Sequence, residues 1–208
     1  MATASPSRPP VFNLPNQLTA ARLVLALVLF CLIPLGWWIT CIIIFALAAV
    51  TDWLDGYLAR KQGLTSTLGR NLDPLVDKVL ICGAYIFLLP LGMATEGGTG
   101  AWLQPWMVTL IVARELIITS LRSFLENRGV TFGADWLGKI KMVLQCAALV
   151  SIFVALYAST FNDLNDGARL FFDVTRNVLI WAMLIATALS GLQYLWRAGA
   201  LIKMDRDL

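Results

Sequence analysis

Six stretches of the chain are apolar over about the length that a bilayer demands. They run from Thr19 to Leu35, Trp37 to about Lys61, about Leu72 to Leu91, about Trp102 to Leu125, about Ile140 to Thr160 and about Val174 to Trp196. A hydrocarbon core about 30 Å thick needs roughly 20 helical residues to cross it. None of the six alternates with period two, so helices are expected rather than barrel strands. The first run has the length of a signal peptide, but its flank holds only Arg8 and no small-x-small cleavage site follows. Phe30 precedes Cys31, where a lipoprotein site needs a small residue, so a retained helix is expected. The pattern therefore predicts an all-α, polytopic membrane protein with six transmembrane helices. Residues 1–18 are read as a Pro-rich interfacial segment, 19–198 as the six-helix domain and 199–208 as a short charged tail. Two polar connections, GMATEGGTG and NDLNDGARLFFD, separate the later helices.

Composition agrees with that pattern. Of 208 residues, 59% are hydrophobic and 14% charged, where soluble domains carry about 25% charged residues. A water-soluble enzyme, a disordered tail and a disulfide-rich secreted module are excluded. Net charge is only +3, and no nucleic-acid partner is expected. The chain has no His, so proton transfer near neutral pH falls to carboxylates and a His-liganded zinc site is impossible. Cys31, Cys41, Cys82 and Cys146 sit in apolar runs without a CxxC and read as small hydrophobes.

The distribution of charge sets the orientation. With the N-terminus inside, only Arg169 and Arg176 of the sixteen Lys and Arg residues fall on the outer side. Both termini are then cytoplasmic, as are the connections between helices two and three and between four and five. An inner (cytoplasmic) membrane location is expected, with the candidate site facing the cytoplasm.

Four acids interrupt this scheme. The segment TDWLDGYLARKQGLTSTLGRNLDPLVDK places Asp52, Asp55, Asp73 and Asp77 at the inner ends of helices two and three. Asp52 and Asp55 share a helix face, as do Asp73 and Asp77. Asp52 lies about 22 Å along its helix from Trp37, in the inner half of the bilayer. One reading is a charge network closed by Arg60, Arg70 and Lys78. The sharper reading is a site for hard divalent cations, because intramembrane acids usually serve function and carboxylate oxygens suit Mg²⁺ or Mn²⁺. Gly56 and Ala59 leave room beside these acids, and Arg60 offers a fork of donors to phosphate. A phosphate-ester or pyrophosphate substrate fits such a set.

These residues resemble the signature of the CDP-alcohol phosphotransferase family, D-x2-D-G-x2-A-R-x8-G-x3-D-x3-D. Asp52, Asp55, Gly56, Ala59, Arg60, Gly69, Asp73 and Asp77 match it in identity and spacing. The resemblance implies six helices with the N-terminus inside, and two Mg²⁺ or Mn²⁺ ions held by Asp52, Asp55 and Asp73 with Asp77 close by. It implies that Gly56, Ala59, Arg60 and Gly69 border the nucleotide of a CDP-linked lipid. It further implies that Asp77 takes the proton of an attacking alcohol, which displaces CMP. A homodimer is expected on the same ground alone. Asn16 and Thr19 either border the nucleotide or cap the first helix.

The acceptor must be read elsewhere. Arg114 and Arg122 are eight residues apart on one helix face, and Lys139 and Lys141 open the fifth helix. Positive-inside charge accounts for some of this, but Arg114 lies well inside its apolar run beside Glu115. These four, with Arg70, suit a phosphorylated acceptor. The segments LPNQLTAARL, VARELIITSLR and GKIKMVLQ are similar to the branch of the family that joins CDP-diacylglycerol to sn-glycerol 3-phosphate. Phosphatidylglycerol or inositol phosphate as acceptor are alternatives within the family. An ion-coupled transporter is a remote alternative, which would spread its acids through the membrane depth.

Overall fold

A computed structural model describes residues 14–62, 67–94, 101–126, 136–161 and 164–206. Among these there are six helices and no strand. They are α1 (Leu14–Leu35), α2 (Trp38–Gln62), α3 (Thr67–Met93), α4 (Pro105–Glu126), α5 (Trp136–Ala158) and α6 (Asp166–Arg206). Four are long and apolar enough to cross a membrane, through Gln17–Leu35, Leu75–Met93, Trp136–Ala158 and Asp166–Gly199. The protein is therefore an integral membrane protein. The six similar runs expected from the sequence are in fact unequal. The apolar part of α2 is only Trp38–Asp52, because the acids begin there. Helix α4 carries Arg114, Glu115 and Arg122 within its length.

The helices group into two compact units, Met1–Gly83 and Ala84–Leu208. In the first unit α1 packs along α2. The buried stripe of α1 is Thr19, Arg22, Ala26, Leu29 and Ile33, spaced three and four residues apart. It faces Cys41, Phe45 and Ala48 on α2, and Val76 and Leu80 of α3 are buried as well. The opposite face of α1 exposes Val24, Leu27 and Leu35, as a helix solvated by lipid does.

Only Gly36 and Trp37 separate α1 from α2. The Gly36 N–H donates to the Ile33 carbonyl at 3.1 Å and the Trp37 N–H to the Leu32 carbonyl at 3.5 Å. This doubly bonded helix end requires a left-handed residue, and Gly36 has φ +71°. Helix α1 also begins earlier than the apolar run, at Leu14, so Asn16 and Thr19 lie inside it and neither is its N-cap. Of the two readings for that pair, capping is thereby excluded.

In the second unit α5 and α4 both pack on α6. Tyr85 donates its hydroxyl to the Gln145 carbonyl at 3.0 Å, tying α3 to α5. Helix α6 extends well beyond the apolar run at both ends. Asn165 caps its start, its Oδ1 accepting from the Gly167 N–H at 2.8 Å, and Asp166 suits the positive end of the helix dipole. The polar stretch read as a connection is therefore partly helical, and so is most of the expected tail. With 41 residues, α6 is about 60 Å long, twice the hydrocarbon thickness.

At Gly92 a Cβ atom would lie 2.4 Å from the Cβ of Leu103 and 3.2 Å from its Cα. Main chain cannot yield as a side-chain tip can. Gly92→Ala is expected to cost about 1–3 kcal/mol and to lower the unfolding temperature in detergent micelles.

Candidate active site

In the first unit three helices converge on one nitrogen. Arg22 of α1 donates through Nη1 to Oδ1 of Asp77 on α3 at 2.7 Å. The same Nη1 lies 2.9 Å from Oδ1 of Asp52 on α2. The Arg22 side chain is 0% exposed, whereas those of Asp52 and Asp77 are 36% and 30% exposed. The guanidinium is thus sealed, whereas the two carboxylates are partly open. Directly before Asp52, the Thr51 hydroxyl donates back one turn to the Ala48 carbonyl at 2.8 Å, which satisfies it within the helix.

Asp52 and Asp77, 25 positions apart by their numbering, are brought together as the sequence pattern requires. Asp55, Gly56, Ala59 and Arg60 follow on α2, and Gly69, Arg70 and Asp73 precede Asp77 on α3. The side chains of these seven, and that of Asn16, lie outside the described residues. Thr19 is buried on the same stripe as Arg22, one turn earlier. Among the described residues no group of three or more acid, thiol or imidazole side chains gathers. Two carboxylate oxygens, a donor type that Mg²⁺ or Mn²⁺ prefers, lie within 3 Å of one cationic atom.

Sequence reasoning assigned Arg22 to cytoplasmic charge and missed its part here. The signal was present in the spacing. Arg22 falls on the Thr19–Ala26–Leu29–Ile33 stripe, where a cation is tolerated only if partnered.

The second unit holds a separate polar cluster. Lys141 of α5 donates to Oε1 of Glu115 on α4, and Arg114 Nη1 approaches the same oxygen at 3.3 Å. Glu115 and Lys141 are both buried. Arg114 Nη2 also donates to Oγ of Ser190 on α6 at 2.9 Å. One turn along α6, the Tyr194 hydroxyl accepts from Arg122 Nη2 at 2.8 Å, and the Arg122 guanidinium sits 5.8 Å from the ring centre. Arg114 and Arg122 thus share the face of α4 that meets α6, as their spacing predicts. Lys139 does not join them, because it stands on the exposed side of α5.

Among the described residues, two cations here share one carboxylate oxygen. Gln145, one turn from Lys141, was not singled out in the sequence. It is buried, and its Nε2 has no acceptor among the described residues. A Gln inside the apolar run of α5 was the available signal. Glu115→Gln is expected to cost about 3 kcal/mol, because it removes the carboxylate between buried Lys141 and half-buried Arg114. Glu115→Gln/Lys141→Met is expected to lose less than the sum of the single variants, read as unfolding temperatures in one detergent.

Comparison with known proteins adds to this geometry. Residues 12–192 match the family model described as CDP-alcohol phosphatidyltransferase. The chain is 34% identical over 184 residues to the CDP-diacylglycerol–glycerol-3-phosphate 3-phosphatidyltransferase of Bacillus subtilis, covering 79% of this chain and 91% of that protein. It is 35% identical over 178 residues to the protein of the same name from Escherichia coli K12, covering 83% and 92%. The Salmonella choleraesuis counterpart is 34% identical over the same length.

Proposed function

The chain belongs to the CDP-alcohol phosphatidyltransferase family, and from that premise we propose that it makes phosphatidylglycerophosphate and CMP from CDP-diacylglycerol and sn-glycerol 3-phosphate. The observation that carries this reading is the meeting of Asp52 and Asp77, the first and last acids of the signature, around one buried cation. The relatives' names supply the acceptor, and the cationic cluster on α4 and α5 supports it.

Asp52, Asp55, Asp73 and Asp77 would hold two Mg²⁺ or Mn²⁺ ions, which would neutralise the pyrophosphate and stabilise the charge that develops in transfer. Gly56, Ala59 and Gly69 leave space for the nucleotide, with Asn16 and Thr19 at its border, and Arg60 binds its phosphate. Arg114, Arg122 and Lys141, with Arg70, bind the phosphate of the acceptor, and this fixes which hydroxyl approaches. That hydroxyl oxygen forms a bond to the phosphatidyl phosphorus. Its proton passes to the Asp77 carboxylate, the bond from phosphorus to the CMP oxygen breaks, and CMP leaves with the electron pair. Asp77 suits the part because the chain has no His and because its carboxylate is both anchored and partly open. Six membrane crossings with cytoplasmic termini, an active site facing the cytoplasm and a homodimer complete the proposal.

The test is CMP release by purified protein in detergent with CDP-diacylglycerol, Mg²⁺ and a panel of alcohols. Glycerol 3-phosphate is expected to be the preferred acceptor, and EDTA to stop the reaction. No metal-dependent CMP release with any alcohol would sink the reading. Asp77→Asn is expected to lower turnover by about 10²–10⁴-fold while CDP-diacylglycerol still binds. Arg114→Ala is expected to raise KM for glycerol 3-phosphate roughly tenfold with little change in KM for the CDP-lipid. Equal effects on both KM values would remove Arg114 from the acceptor site.

A further inference from the structure

We propose that Arg22 is a positioning residue that stands in the aspartate cluster as an internal counter-cation. It holds Asp52 and Asp77 in place before divalent ions arrive, and it limits how tightly those ions are then held. The inference rests on the reading of the aspartates as a metal site.

The argument begins with charge. Acids gathered at the end of a helix pair repel one another and are driven apart unless a cation lies between them. The guanidinium is the side-chain cation best suited to a buried place, being planar, delocalised and weakly hydrated. Arg22 fits that task in three ways. It comes from α1, outside the segment that carries the acids. It reaches one acid on each of the other two helices with a single nitrogen, at 2.9 and 2.7 Å. It is fully buried, while each carboxylate keeps about a third of its surface open. Ions can therefore enter from the open side without Arg22 leaving.

Two opposite effects follow from that placement. Without metal, the cation offsets repulsion and fixes the carboxylates. With metal, its positive charge remains at contact distance from the same oxygens and opposes the incoming ions. A residue that only filled space would have neither effect.

The test compares the full-length wild-type protein with Arg22→Gln in detergent micelles, using Mn²⁺ alone as the probe. Free Mn²⁺ is followed by its EPR signal and unfolding by intrinsic Trp fluorescence. The variant is expected to unfold at lower temperature than wild type without metal, and saturating Mn²⁺ is expected to close most of that gap. The Mn²⁺ concentration for half-saturation is expected to fall about tenfold, one pK unit for one neighbouring charge removed. An equal loss of unfolding temperature with and without Mn²⁺, or an unchanged half-saturation, would overturn the proposal. If Arg22→Gln does not accumulate as folded protein, Arg22→Gln/Asp77→Asn is expected to recover it, since cation and anion are then removed together. A double variant that folds no better than the single one would also overturn it. Wild-type protein that binds no Mn²⁺ would remove the metal-site reading and this inference together. Wild-type binding with an unaltered variant would remove this inference alone.

Discussion

A guanidinium sealed from water must be neutralised where it lies, and in the first unit that requirement organises the surrounding structure. Arg22 occupies a core position on α1 and is satisfied by Asp52 on α2 and Asp77 on α3. Removing a buried charge's partner costs several kcal/mol, far more than one apolar contact supplies. The apolar stripes of α1 and α2 bring the helices together without fixing their register closely, because lipid tails solvate Leu and Val as well as a protein core does. The ion pairs discriminate between registers. Function and assembly thus draw on the same groups, since the acids that fix the helices are those proposed to meet the ligand.

The second unit applies the same rule with the signs exchanged. There a buried carboxylate, Glu115, lies between Arg114 and Lys141, which come from different helices. Ser190 and Tyr194 give the two arginines of α4 their seats along α6. Among the described residues, two acids meet one cation in the first unit and two cations meet one acid in the second.

Much of this was legible in the amino-acid order, for reasons that differ by residue. Helices were legible because a bilayer imposes length and apolarity on any segment that crosses it. The acids of α2 and α3 were legible because four charges near the end of two apolar runs are costly unless partnered or functional, and their spacing matches a known signature. The pairing of Arg114 and Arg122 with one helix was legible from their eight-residue separation. Arg22 was not read correctly, because an arginine near the inner end of a first helix is also what orientation rules demand. Only its phase relative to Ala26, Leu29 and Ile33 sets it apart. The ends of α6 were obscured by polar composition, which hides a helix whose start depends on one Asn side chain. Lys139 and Lys141 looked equivalent in sequence. They part because two residues along a helix is a rotation of about 200°.

The turn between α1 and α2 bears on how the protein enters a membrane. With Gly36 and Trp37 alone outside the helices, there is no loop long enough for one limb to be threaded and the other delayed. The two limbs partition as a single hairpin, with Arg22 on one and Asp52 on the other already within reach. A lone Arg or Asp costs about 2.5–3.5 kcal/mol at the centre of an inserting helix and less towards the inner end, where these two lie. Delivered side by side, the two present the lipid with a dipole instead of two ions, and biogenesis avoids most of that penalty before the third helix has been made.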